Sequence, residues 1–136
     1  MDYIDTNVVL SLINPADSNH DIALRLTRES KEMAISMVTL LEMKSVMART
    51  TSLREEEIEA YVQYLDRLGF ELKRVDMDRV FQRAAEISFA IRMRTLDLLH
   101  LAACSETGAD TLITLDQEFG IRRAEIKSIG IDVRLQ

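Results

Sequence analysis

Five short apolar runs, each about four to six residues long and separated by longer stretches of helical periodicity, restrict this chain to one class of fold. They fall at 2–5, 32–37 (EMAISM), 70–75 (FELKRV), 111–114 (TLIT) and 131–135 (IDVRL). Strands that alternate with helices build a parallel sheet covered on both faces, because each crossover helix must pack back onto the sheet it left. TLIT has no alternation at all, which suits a strand buried mid-sheet. The expectation is an α/β protein, a three-layer α/β/α sandwich around a mainly parallel five-stranded sheet. With 136 residues and no Gly/Pro-rich linker, one domain spanning 1–136 is expected.

Helix signals fill the gaps. A short helix is expected over Thr6–Ile13 and another from caps at Asp17, Ser18 and Asn19. VTLLEMKSVMART (38–50) reads as a third helix. Ser52 with Glu55 offers a capping box for a fourth, whose Ile58, Tyr61, Val62, Leu65 and Leu68 form one stripe that Gly69 ends. Asp76 caps a helix carrying Val80, Phe81, Ala84, Ile87 and Ile91, and Thr95–Thr107 makes another, stopped by Gly108. A short helix is expected around 116–124.

Four acids interrupt apolar context. Asp5 ends the first run, Glu42 lies within LLEMK, Asp97 within TLDLLHLAA, and Asp116 follows TLIT and one leucine. Singly, Asp5 and Asp116 read as helix caps and Asp97 as a first-turn acid favoured by the helix dipole. Glu42 gains little from a dipole, standing past the first turn. In a parallel sheet the carboxyl ends of all strands open on one edge, where ligands bind. Four acids gathered there would repel one another, by about 4 kcal/mol per pair at 4 Å and intermediate dielectric. A hard divalent cation, Mg²⁺ or Mn²⁺, one ion or two, relieves that repulsion. Such a site suits hydrolysis of a phosphodiester. Thr6, Asn7 and Thr114 would orient the carboxylates, and Lys44, Arg92 and Arg94 are the cations best placed by sequence for the phosphates of such a substrate.

Net charge speaks against a nucleic-acid partner at first, at −6 from 17 basic and 23 acidic residues. Four of those acids belong to the proposed site, so the rest of the chain carries only −2. No apolar run nears ~18 residues and no basic-then-apolar leader opens the chain. A soluble, cytoplasmic protein with no membrane contact is expected. The single Cys104 leaves no intrachain disulfide and reads as a small buried thiol.

YIDTNVVL, SMVTLLEM, TLDLLHLAA and ADTLITLDQEFG occur in an order and at spacings that resemble the PIN-domain ribonucleases, most closely the small VapC-type toxins of toxin–antitoxin pairs. The resemblance covers the whole chain. It implies a catalytic quartet of Asp5, Glu42, Asp97 and Asp116, with the metal on Asp5, Asp97 and Asp116, joined by Glu42. Glu118 stands where the family more often has Asp, as a candidate accessory ligand. It also implies cleavage of an RNA substrate, a cognate antitoxin protein as partner, and a homodimer able to enter a larger assembly. The dimer surface would lie within about 53–92, with Tyr61 and Tyr64 as candidates, though Tyr61 suits core equally well. His100, flanked by leucines and alanine, reads as packing in preference to a base or ligand. Two other classes share parts of this pattern. A phosphoaspartyl phosphatase wants Asp where Asn7 stands, and a receiver wants an acidic pair after the first strand and a lysine near the last. A PIN-like binding module with a silent site has no such contradiction.

Overall fold

A computed structural model describes residues 1–136. Five three-residue strands, β1 (Asp2–Ile4), β2 (Met33–Ile35), β3 (Phe70–Leu72), β4 (Thr111–Ile113) and β5 (Asp132–Arg134), form one sheet in the order β3-β2-β1-β4-β5. Every pairing is parallel, with Tyr3 opposite Ala34 on one side and Leu112 on the other. The chain lays β2 and β3 outward on one side of β1, then crosses back to place β4 and β5 on the other. The order therefore reverses between β1 and β4, where an open parallel sheet leaves a crevice at its carboxyl edge.

Side-chain alternation sorts the core into two layers. Tyr3 and Leu112 face a cluster with Val80, Ala84, Ile87, Leu101 and Val133. Their neighbours Ile4 and Ile113 face the opposite cluster with Val8, Ala23, Met43, Ile58 and Phe70. The helices α1 (Thr6–Ile13), α2 (His20–Thr27), α3 (Met37–Thr50) and α4 (Glu55–Tyr64) belong to one half of the fold, and α5 (Met77–Ile87) packs along α6 (Thr95–Glu106). Two short helices, α7 (Gln117–Ile121) and α8 (Arg123–Ser128), lead into β5.

Two details, at α4 and α5, depart from the sequence expectations. The helix after Leu53 begins at Glu55 with Arg54 in the capping position, and the Glu57 carboxylate accepts the Arg54 N–H at 3.1 Å. The predicted Ser52–Glu55 box is thus displaced by two residues; a run of three glutamates offers the same spacing in several registers. α2 starts at His20 with Asn19, one of the three caps the sequence offered, in the N-cap position, while the Asp17 carboxylate is used in a turn, accepting the Asn19 N–H at 2.7 Å. α5 ends at Ile87, so Ile91 is buried from the following loop. Gly69 closes the α4 segment at φ +90°, a left-handed value that favours glycine.

Cys104 is fully buried, and its thiol is pushed up to about 12, first by burial and then by the charges of Asp110 and Asp2. A thiol-specific reagent at pH 8 should therefore label the native protein only at the rate of opening, and label it at once in denaturant. Rapid native labelling, timed by mass spectrometry, would contradict this burial.

Candidate active site

The fold brings the four acids to one edge by chain direction alone. α1 and α3 follow β1 and β2, so they start at the carboxyl edge. α6 precedes β4 and runs back against it, which puts its first turn there as well. Asp5, Asn7, Glu42, Arg94, Asp97, His100 and Asp116 line a cleft of about 390 Å³, together with Leu10, Val46 and Leu96. A second cleft, about 820 Å³, shares Arg94, Asp97 and Asp116 and continues past Ser88, Arg92, Gln117 and Glu118.

Asp5 is only 4% exposed and both its oxygens are held. Oδ1 accepts the Thr6 N–H at 2.8 Å, and Oδ2 accepts the Thr114 hydroxyl at 2.7 Å. That same Thr114 oxygen accepts the Asp116 N–H at 3.0 Å, so one hydroxyl ties together the two acids at the ends of β1 and β4. Asn7 braces the β4 loop, accepting the Leu115 N–H at 3.1 Å. Thr6 is buried with its hydroxyl 3.5 Å from His100 Nε2. Asp116 caps α7 through the Glu118 N–H at 2.9 Å. Asp5 and Asp116 therefore cap helices and line the cleft at once.

The electrostatics show the crowding. Burial raises the Asp5 carboxyl pKa, the opposing pull of His100 and Thr114 notwithstanding, and the charge of Glu42 adds to the rise. Asp97 is also raised, by burial, then by Asp116, with Asp5 contributing. Its Oδ2 is buried and accepts no hydrogen bond; Arg94 Nε stands 3.8 Å away, too far for one. Glu42 goes the other way. Burial works against its charge, yet the hydrogen bonds of His100 and Thr6 outweigh it and leave the pKa lowered. An orphaned carboxylate oxygen in a cleft lined by three further carboxylates fits a hard cation, and the donor set is the oxygen-rich one such a cation takes.

His100 is the functional candidate that sequence reasoning set aside. It is 2% exposed, as core packing would require, but its Nε2 reaches into the acidic group, 3.0 Å from Glu42 Oε1 and 3.6 Å from Asp5 Oδ1. Ligand atoms of Asp5, Glu42 and His100 all lie within 4.8 Å of one another. The available signal was its position three residues after Asp97 on one helix face.

The other predicted residues differ in their distance from the first cleft. Lys44 forms an ion pair with Glu59 of α4 and does not line either cleft. Glu118 stands in the second cleft only, with Arg122 at 3.6 Å. Arg92 and Arg94 line the second cleft, and Arg94 both. Tyr61 and Tyr64 are on the surface beside Ala60, not in the core. No helix is long and apolar enough to cross a membrane.

Comparison with solved structures finds the same fold in toxin–antitoxin proteins. VapBC2 from Rickettsia felis, solved on a promoter DNA fragment, matches with a TM-score of 0.69 and 18% identity over 100% of this chain and 99% of that one. VapC20 of Mycobacterium tuberculosis, described as a sarcin–ricin loop cleaving toxin, matches with a TM-score of 0.69 and 17% identity over 89% and 94%. VapBC-1 from nontypeable Haemophilus influenzae gives 0.64 and 17% over 98% and 97%. No curated protein matches the sequence significantly. The family profile of the PIN domain does match, from residue 3 to residue 125, a span that holds Asp5, Glu42, Asp97 and Asp116; the chain belongs to the PIN-domain family.

Proposed function

We propose that the whole chain acts as one nuclease domain, a metal-dependent endoribonuclease that serves as the toxin of a toxin–antitoxin pair. The observation that carries this reading is the cleft where Asp5, Glu42, Asp97 and Asp116 meet, with one Asp97 oxygen buried and unpartnered. Family membership supports it, as do structural neighbours that are toxins of such pairs, one of them described as a sarcin–ricin loop cleaving toxin.

Asp5, Asp97 and Asp116 would hold the cation, with Glu42 beside them. When bound, Mg²⁺ or Mn²⁺ supplies positive charge that makes a water acidic and offsets charge developing on the phosphate. The protein's own share is positioning. Thr6 and Thr114 fix both oxygens of Asp5, and Thr114 sets Asp116 relative to it. Glu42, kept ionised by its hydrogen bonds, is the group able to take a proton from an attacking water. Arg92 and Arg94 offer charge to the phosphates of a strand lying along the second cleft. A cognate antitoxin would cover this edge, and Tyr61, Tyr64, Phe81 and Phe89, exposed within 53–92, offer apolar area for a homodimer.

The test is cleavage of total tRNA and of an unstructured RNA by purified protein, with Mn²⁺, with Mg²⁺ and with chelator. Cutting that chelator abolishes is the expected result; cutting unaffected by chelator would overturn the reading. Arg92→Ala should raise KM with little change in kcat and lower the slope of log affinity against log salt by about 1. An unchanged slope, measured by titration across salt concentrations, would remove Arg92 from the RNA path.

A further inference from the structure

A buried polar chain runs beneath the carboxylates, and its residues come from three separate elements. The Tyr3 hydroxyl of β1 lies 2.7 Å from Ser36 Oγ and 3.2 Å from Thr39 Oγ1, at the start of α3. It lies 3.1 Å from His100 Nδ1 on α6. The other ring nitrogen ends on Glu42 Oε1 at 3.0 Å, beside Asp5. Tyr3, Ser36, Thr39 and His100 are each 2% exposed or less.

Donor and acceptor roles follow from chemistry. Ionised carboxylates only accept, so Nε2 carries a hydrogen and donates it to Glu42. Nδ1 meets a phenol that Ser36 and Thr39 hold in place, and the two rings are set edge to face with centroids 5.9 Å apart. The imidazole can neither swing nor slide. His20 shows what a purely structural histidine does here: its Nδ1 meets the Ser11 backbone carbonyl at 2.8 Å and no carboxylate. His100 instead spends its hydrogen bond on a cleft acid.

We propose that Tyr3 and His100 are positioning residues for the catalytic centre, holding the Glu42 carboxylate against Asp5 so that the acidic group is assembled before a cation arrives. This rests on the metal-dependent nuclease reading. It assigns a role in that site to two residues outside the acidic quartet, one of them on the central strand. Donors that orient a ligating or reacting group are commonly felt about 10- to 100-fold in metal affinity or activity.

The experiment compares His100→Gln, His100→Asn and Tyr3→Phe with the wild type by Mn²⁺ calorimetry and by steady-state RNA cleavage. The Gln amide nitrogen reaches the place of Nε2; the Asn amide reaches only that of Nδ1. Asn should therefore lose about 10- to 100-fold in Mn²⁺ affinity and kcat at unchanged KM, with Gln retaining most of both and Tyr3→Phe falling between. Equal Mn²⁺ affinity in all four proteins, or equal losses in Gln and Asn that follow their melting temperatures, would overturn the proposal. A wild type that binds no Mn²⁺ would instead sink the nuclease reading. The chain is then judged on the ring proton of His100, readily assigned because the protein has only two histidines. A protected Nε2–H signal that shifts in Tyr3→Phe supports it, and absence of that signal overturns it.

Discussion

Asp5→Asn and Asp97→Asn should each reduce RNA cleavage by roughly a thousandfold or more, the scale on which loss of a preorganised charged group at a reacting centre is felt. The two should differ in what they do to stability without metal. Asp97 Oδ2 has no hydrogen-bond partner and its carboxyl is raised by burial and by Asp116, which outweigh the Arg94 charge 3.8 Å away, so an amide there relieves repulsion and breaks no hydrogen bond. Its melting temperature in chelator should rise above the wild type's. Asp5 is different, because its two oxygens accept from Thr6 and from Thr114, and Thr114 already accepts the Asp116 N–H. An amide nitrogen at either place meets a group already committed, so relief of the buried charge is offset by a lost hydrogen bond. Asp5→Asn should melt near the wild type in chelator while Asp97→Asn melts later. Cleavage at wild-type rates by either variant, followed on a labelled RNA, would remove the carboxylate mechanism.

How far the sequence could be read depended on whether a residue's partners were near it in the chain. α1 occupies the expected Thr6–Ile13, because a strand, a capping Asp and an apolar run are consecutive. Asp5, Asp97 and Asp116 were legible because each stands at a helix start on an edge that strand direction alone determines. Glu42 was legible by contrast with its apolar neighbours. His100 was not. Its flanking leucines make it look like core, and by burial it is; what makes it part of the site is Tyr3, 97 residues away, and Glu42, 58 residues away. The pairing of Lys44 was hidden for the same reason, since its partner Glu59 comes from a helix whose packing against α3 has no sequence signature. Ser36, the N-cap of α3, was hidden inside what read as strand, because a strand that ends in Ser and Met gives no sign of where it stops.

Without metal, the protein should lose stability as pH rises through and above neutrality, and Mn²⁺ should abolish most of that loss. The direction follows from three groups. Asp5 and Asp97 have raised carboxyl pKa values, chiefly through burial. His100 is raised too, its hydrogen bond to Glu42 and the charge of Asp5 outweighing burial, which lowers it. A group raised on folding binds its proton more tightly in the folded state, so its contribution is complete below its unfolded value and is lost as pH climbs through the folded one. For the carboxyls this loss starts above about 4, and for the imidazole above about 6.5. Glu42 opposes them, being lowered, but its contribution is lost only toward acid, below the ordinary carboxylate range. The metal-free melting temperature should therefore decline as pH rises through the ordinary carboxyl range and on past the ordinary imidazole range, and decline less in Asp97→Asn. A cation that binds only the folded, deprotonated site adds stability by mass action, about 2.7 kcal/mol at a hundred times its Kd. Because that gain needs the carboxylates ionised, it grows over the same range in which the metal-free protein weakens. Melting curves at several pH values, with Mn²⁺ and with chelator, test both halves at once. A metal-free profile flat with pH would mean that neither these carboxyls nor the imidazole is raised in the fold, and a cation shift independent of pH would place the ion elsewhere.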